Sequence, residues 1–136
     1  MNPGVFSKTF SCIKKETQKI TQRISDLTRI MNANKNHNIL VVLQGMDSSG
    51  KDGVSRSVFG KVSPTMVSAY GFKKPTDKEF AHDFLWRAHK QTPDKGSIKV
   101  FVRSHYEDVL IQRVHKWIDS KKVNMRIEAI NAFEKL

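Results

Sequence analysis

One cysteine, Cys12, stands among 136 residues, so no disulfide can form within the chain and no cysteine cluster can hold a metal. That fits a reducing compartment, and a cytoplasmic location is expected. Long apolar runs are absent too. The longest uninterrupted aliphatic stretch, Ile39 to Leu43, falls far short of the roughly 20 residues a membrane helix needs. The N-terminal MNPGVFSKTFSCIKKE lacks the continuous apolar segment of a secretory signal. Neither a membrane partner nor export is expected. Three catalytic signatures are missing as well. There is no Gly-x-Ser-x-Gly elbow and no Cys/His dyad. His82, His89, His105 and His115 are not at the i, i+4 spacing with a glutamate that marks a zinc helix. Acidic residues are scarce, 13 Asp and Glu against 24 Lys and Arg, which leaves a formal net charge of +11. A polyanionic partner is implied, although Coulomb attraction alone does not choose among nucleic acid, inorganic polyphosphate and an anionic membrane surface.

The residues that are present read as one folded domain. Apolar residues make up 38% and charged residues 27%, the balance of a soluble globular protein, and the length suits a single core. Ile20, Ile24, Leu27 and Ile30 recur three or four apart within residues 16 to 31, predicting an amphipathic helix that packs on the rest of the domain. Asn32 to Asn38 reads as a loop. Ile39 to Leu43 reads as a strand buried on both faces, since its apolar residues run without alternation. A helix is predicted over Lys51 to Phe59 and a second strand over Met66 to Tyr70. Thr76 and Glu79 form a capping box that opens a helix from about Asp77 to Lys90, with Phe80, Phe84 and Ala88 four apart. After a turn at Pro93 to Gly96, Ile98 to Val102 is the third strand. Ser104 and Glu107 repeat the capping box before a helix whose Tyr106, Leu110, Val114 and Trp117 lie near one face. A last helix, capped by Asn124, carries Ile127, Ile130 and Phe133. Strands alternating with helices predict a three-layer α/β fold on a parallel sheet. Three strands are few for such a sheet, so an incomplete domain is expected.

Gly45-Met46-Asp47-Ser48-Ser49-Gly50-Lys51-Asp52 has the glycine, four residues, Gly-Lys spacing of a phosphate-binding P-loop, after a strand and before a helix. Glycines let successive N–H groups converge on phosphate oxygens, the helix N-terminus adds partial positive charge, and Lys51 adds a full one. Gly45, Ser48, Ser49, Gly50, Lys51, Asp52 and Gly53 are therefore candidate phosphate-binding residues. Asp52 occupies the position where Ser or Thr would offer magnesium a hydroxyl, so Asp47 is the candidate Mg²⁺ ligand or orienter of bound water. The alternative is a structural turn with Asp47 as a helix cap. Arg103 follows the third strand at the end where open parallel sheets bind ligands, and its guanidinium suits a transferring phosphoryl group. An ion pair with Glu107 or Asp108 is its alternative role. Lys73, Lys74, Arg87 and Arg113 are further candidate phosphate contacts, the two arginines with solvated alternatives. Glu107 and Asp108 offer carboxylates to a nucleotide or metal, Glu107 already having its place in the capping box.

GMDSSGKDG at 45–53, FKKPTDKEFAHDFLWRAHKQTPDKG at 72–96 and FVRSHYEDVLIQRVH at 101–115, with the closing AINAFEKL, together resemble the polyphosphate kinase 2 family, especially its single-domain members. The match runs in order from about Ile39 to Leu136. The resemblance implies a P-loop kinase-like fold with an arginine-bearing lid. It also implies Mg²⁺-dependent phosphoryl transfer between inorganic polyphosphate and a nucleoside mono- or diphosphate, which disfavours nucleic acid as partner. On this likeness Asp47, Lys51 and Arg103 are the catalytic residues, Asp47 at the metal and Arg103 on the phosphate. Two departures stand out. The family motif has Asp or Asn before the arginine, where this chain has Val102. Family domains also continue through a further strand and the lid, so residues 1–38 are expected to form an N-terminal helical segment and 39–136 the N-terminal portion of the core, without the C-terminal strand and lid. A non-catalytic module binding polyphosphate, nucleotide or nucleic acid is the alternative, and association of copies through an unpaired sheet edge is a further expectation.

Overall fold

The computed structural model describes the backbone of residues 3–136 and the side chains of residues 11–136; the first two residues of the expected N-terminal segment lie outside the described residues. The elements are α1 (Pro3–Asn34), β1 (Ile39–Leu43), α2 (Lys51–Phe59), β2 (Val67–Gly71), α3 (Asp77–Phe80), α4 (Trp86–His89), β3 (Ile98–Val102), α5 (Glu107–Val114) and α6 (Ser120–Phe133). Among the described residues no helix is long and apolar enough to cross a membrane.

The three strands form a parallel sheet in the order β1-β3-β2, with Val41, Val100 and Ala69 in register across it. Parallel pairing forces each strand-to-strand connection to cross the sheet, and here every crossover is helical. The central strand, β3, buries Ile98, Val100 and Phe101. The apolar run of β1 predicts burial on both faces, yet the strand is only half-buried. It lies at the margin, paired with β3 alone among the described residues.

One sheet face presents Leu40, Val42, Tyr70 and Phe101 to the main core, where they meet Leu85, Ala88, Val109, Val123, Ile130 and Phe133 from the chain after β2. Phe72 extends the core beyond β2, its ring edge-on to Tyr70 at 5.0 Å and to Phe101 at 4.8 Å. Ile39 and Ile98 face the opposite side, toward Phe59 of α2 and Ile24, Leu27 and Met31 of α1. Helices thus cover both faces of the α/β sheet.

Several local expectations need correction. The helix predicted over Asp77 to Lys90 is two short helices. The Thr76–Glu79 capping box opens α3 as expected, but the Asp83 carboxylate then accepts the Leu85 amide at 2.9 Å, competing with helical bonding. Ser104 and Glu107 form no capping box. The Ser104 hydroxyl accepts the Tyr106 amide and donates to Gln44 Oε1, and the residue preceding α5 is Tyr106, without a side-chain cap. Asn124 lies inside α6, whose cap is Asp119, accepting the Lys122 amide at 2.7 Å.

The apolar stripe of α1 is only partly covered, with Ile24 half-buried. Ile13, Ile20, Leu27 and Ile30 are exposed, whereas Thr21, Ser25 and Thr28 are buried. Small hydroxyl side chains let the helix approach closely: Thr21 and Thr28 bond carbonyls of their own helix, and Ser25 donates to the Lys61 carbonyl beyond α2.

Candidate active site

β1 ends at Leu43 and delivers the chain directly into the loop at its C-terminal end, where open parallel sheets bind ligands. Gly45 leaves room there for the Ser49 hydroxyl, since a Cβ would lie 2.8 Å from Ser49 Oγ and turn that side chain away. Gly50, at φ 85°, turns the chain into α2 and supplies no side-chain cap. The first amides of α2 therefore keep their donors free of a side-chain cap, as an anion-binding helix start requires. Ser48 also has a left-handed backbone, at φ 62°. Lys51 folds its ammonium back over the loop, donating to the carbonyls of Gly45 at 2.8 Å and Met46 at 2.5 Å and to Ser49 Oγ at 3.2 Å. A cavity of about 330 Å³ opens here, lined by Asp47 to Gly53 with Val102 and Arg103.

Arg103 enters from β3. Its amide bonds the Leu43 carbonyl at 3.0 Å, continuing the sheet by one residue, and its backbone then turns left-handed at φ 58°. For a residue other than glycine that conformation costs about 1–2 kcal/mol, and such strain is concentrated at functional sites. The guanidinium forms an ion pair with Asp47, in place of the considered partners Glu107 and Asp108. The Asp47 side chain is 81% exposed and that of Arg103 38%, so both groups remain open to solvent and to a ligand. Val102, the departure from the family motif, contributes an apolar side chain to the same cavity wall.

The structure thus brings together Asp47, Lys51, Arg103 and the loop residues Gly45, Ser48, Ser49, Gly50, Asp52 and Gly53. It does not bring Lys73, Lys74, Arg87 or Arg113 to the loop cavity. Lys73 and Lys74 are exposed beyond β2, and Arg113 is exposed on α5. Arg87 is buried: it pairs with Asp108 at 2.9 Å, donates to the Lys73 carbonyl at 2.8 Å and lies 5.0 Å from the centroid of the Phe72 ring. Its charge is already matched inside the core, where breaking such a pair is costly.

Two polar side chains escaped the sequence reading. Gln44, the residue after β1, donates to Glu107 Oε1 at 2.6 Å and accepts from Ser104 at 3.0 Å. Its position at the strand's C-terminal end was the available signal. Arg126 of α6 bonds the Asp108 carbonyl and Gln112 Oε1, a distant contact that helix periodicity does not reveal. Behind Arg103, His105 is fully buried with no hydrogen bond at either ring nitrogen, and its Nε2 lies 3.4 Å from Glu134 Oε1. Desolvation lowers its pKa, against the raising influence of Glu134 and Asp108. Desolvation, with the hydrogen bond that its hydroxyl donates to Glu134, raises the pKa of neighbouring Tyr106.

The family description Polyphosphate kinase 2 matches residues 9–136. An AMP/ADP-polyphosphate phosphotransferase of Meiothermus ruber is 43% identical over 117 residues, 86% of this chain and 44% of that protein. An ADP-polyphosphate phosphotransferase of Rhodopseudomonas palustris is 46% identical over 94 residues, 69% of this chain and 32% of that protein. The crystal structure of polyphosphate kinase 2 from Arthrobacter aurescens superposes with a TM-score of 0.84 at 42% identity, covering 88% of this chain and 44% of that one. The chain therefore spans less than half the length of these relatives. With the family match extending over most of its residues and a shared fold at this identity, the chain belongs to the polyphosphate kinase 2 family.

Proposed function

We propose that the chain carries the phosphate-binding core of a phosphotransferase acting between inorganic polyphosphate and a nucleoside mono- or diphosphate. The observation that carries this reading is the convergence of Lys51, Asp47 and Arg103 on one cavity at the C-terminal ends of β1 and β3. The activities that give the Meiothermus ruber and Rhodopseudomonas palustris relatives their names support the choice of substrates. In the transfer, the acceptor's terminal phosphate oxygen bonds to the end phosphorus of polyphosphate while the bridging P–O bond breaks. Polyphosphate leaves one unit shorter. Lys51 and Arg103 neutralise charge on the transferring group and hold it in line, which is most of what this chemistry asks of a protein.

Mg²⁺ fits the donor set. Among the described residues no group of three or more His, Cys, Asp and Glu could hold a metal, but Mg²⁺ at phosphate sites takes one or two carboxylates and completes its shell with substrate oxygens and water. Asp47 would hold it, and the ion would supply charge neutralisation between the phosphates. The single cysteine supports a cytoplasmic setting.

Val102 favours a second reading, a module that binds polyanions without turnover, because the cavity wall carries an apolar side chain where the family motif has Asp or Asn. Electrophoresis of long-chain polyphosphate after incubation with the protein separates the two. Phosphotransfer predicts shortening that requires both Mg²⁺ and ADP and is lost in Lys51→Ala; unchanged chain length with retained binding supports the module.

A further inference from the structure

Arg103 sits at φ 58°, a left-handed conformation that a residue other than glycine keeps only where its surroundings over-determine it. The backbone bonds inside the segment that follows begin beyond Arg103. The Glu107 amide donates to the Ser104 carbonyl at 3.1 Å and the Asp108 amide to the His105 carbonyl at 3.2 Å, opening α5. Support for Arg103 itself comes from the end of β1. The Arg103 amide donates to the Leu43 carbonyl at 3.0 Å, which fixes where the turn starts. Gln44, the next residue, spans the rest of it: its Oε1 accepts from the fully buried Ser104 hydroxyl at 3.0 Å, and its Nε2 donates to Glu107 Oε1 at 2.6 Å. The partners set the orientation of this amide. Ser104 Oγ already accepts the Tyr106 amide, leaving its proton for Gln44, and a carboxylate can only accept. One planar group is thus bonded at both edges, to the residue after Arg103 and to the first residue of α5. Gln44 is nevertheless exposed, and ordering such a side chain costs rotamer entropy that these two bonds offset.

We propose that Gln44 is the positioning residue of Arg103: its side-chain amide locks the 103–107 turn in the conformation that brings the guanidinium to the loop cavity. Gln44 does not line that cavity, so its effect on a phosphate must pass through Arg103. The role rests on the reading of Arg103 as a phosphate contact, and its test separates the two. Gln44→Met removes both hydrogen bonds at unchanged charge and similar size. Amide hydrogen exchange by NMR and calorimetric titration with inorganic tripolyphosphate are measured on the wild-type chain and its variants, each shown folded by circular dichroism. In Gln44→Met, exchange at the Arg103 and Tyr106 amides is expected to quicken by about tenfold or more, as a local opening, while Val100 and Phe101 within β3 keep wild-type rates. Tripolyphosphate affinity should fall by about tenfold, the scale on which a strained residue relaxes once its support is lost. In an Arg103→Ala background the same substitution should cost nothing further, as residues acting through one another require. Gln44→Glu alone sets two carboxylates against each other and weakens binding; adding Glu107→Gln restores the bond with donor and acceptor reversed, and should recover most of the lost affinity. If Gln44→Met does not fold, the same readings are taken from Gln44→Glu with and without Glu107→Gln. Unchanged exchange at Arg103 and Tyr106, or an equal loss of affinity in the Arg103→Ala background, overturns the positioning role. Faster exchange at these amides, with tripolyphosphate affinity indifferent to Arg103→Ala, upholds the lock on the turn and overturns the phosphate reading of Arg103 instead.

Discussion

Arg103 concentrates the site's demands in one residue: a left-handed backbone, a charge drawn across to Asp47, and a place on the wall of the loop cavity. A planar fork that holds two oxygens at once is not replaced by an ammonium. Arg103→Lys is expected to lower the rate of transfer by about 10²-fold or more, the scale of removing a preorganised donor from a developing charge, as measured by coupled assay. Its neighbour Val102 makes the opposite prediction. Val102→Asp places a carboxylate on the cavity wall beside Asp47, so half-maximal transfer should need less Mg²⁺ than in wild type. An unchanged Mg²⁺ titration would remove position 102 from metal binding. His105 gives a pH signature. Burial lowers its pKa from the ordinary 6.5, so below about pH 6.5 the unfolded chain takes up a proton that the folded one resists. Stability should fall as pH drops from 6.5 toward the folded pKa and then level off. His105→Phe, which also removes two unpaired ring nitrogens, should flatten that slope in thermal melts taken across this range.

At the scale of elements, strands and the loop were legible and helix faces were not. Apolar runs of β-branched residues fixed β1 and β3 to the residue, and the glycine and lysine spacing fixed the turn into α2, because both signals are local. Helix orientation depends on distant partners. α5 turns Asp108 and Val109 inward and leaves Leu110, Ile111 and Val114 exposed, since Arg87 draws Asp108 into a buried ion pair. α1 buries Thr21, Ser25 and Thr28, while Ile13, Ile20 and Ile30 stay exposed. Ile20→Ser on the exposed stripe is therefore expected to change unfolding free energy by less than about 0.5 kcal/mol, while Ile130→Ala, fully buried in α6, costs about 2–5 kcal/mol. Chemical denaturation reads both. The cap of α6 is a sharper comparison: Asp119→Ala should cost about 1 kcal/mol, and Asn124→Ala, inside the helix, should not reproduce that loss.

Across the whole molecule, the proposed catalytic residues depend on the sheet more than on one another's sequence positions. Asp47 and Arg103 lie 56 residues apart and meet because β1 and β3 are paired in register from Ile39↔Ile98 to Leu43↔Val102. Sequence spacing found each residue, but only that register shows that they share a cavity. The buried ion pair of Arg87 was equally hidden, since a partner 21 residues away leaves no mark in the local pattern. The excess of positive charge, +11, attracts polyanions of every kind, so any selectivity among them must come from the cavity. The decisive measurement is ATP formation by the purified chain supplied with Mg²⁺, ADP and long-chain polyphosphate, beside Lys51→Ala prepared identically. ATP accumulating with the wild-type chain and reduced by about 10²-fold or more in the variant is the predicted result; equal ATP from both proteins, or none from a folded wild-type chain, would contradict it.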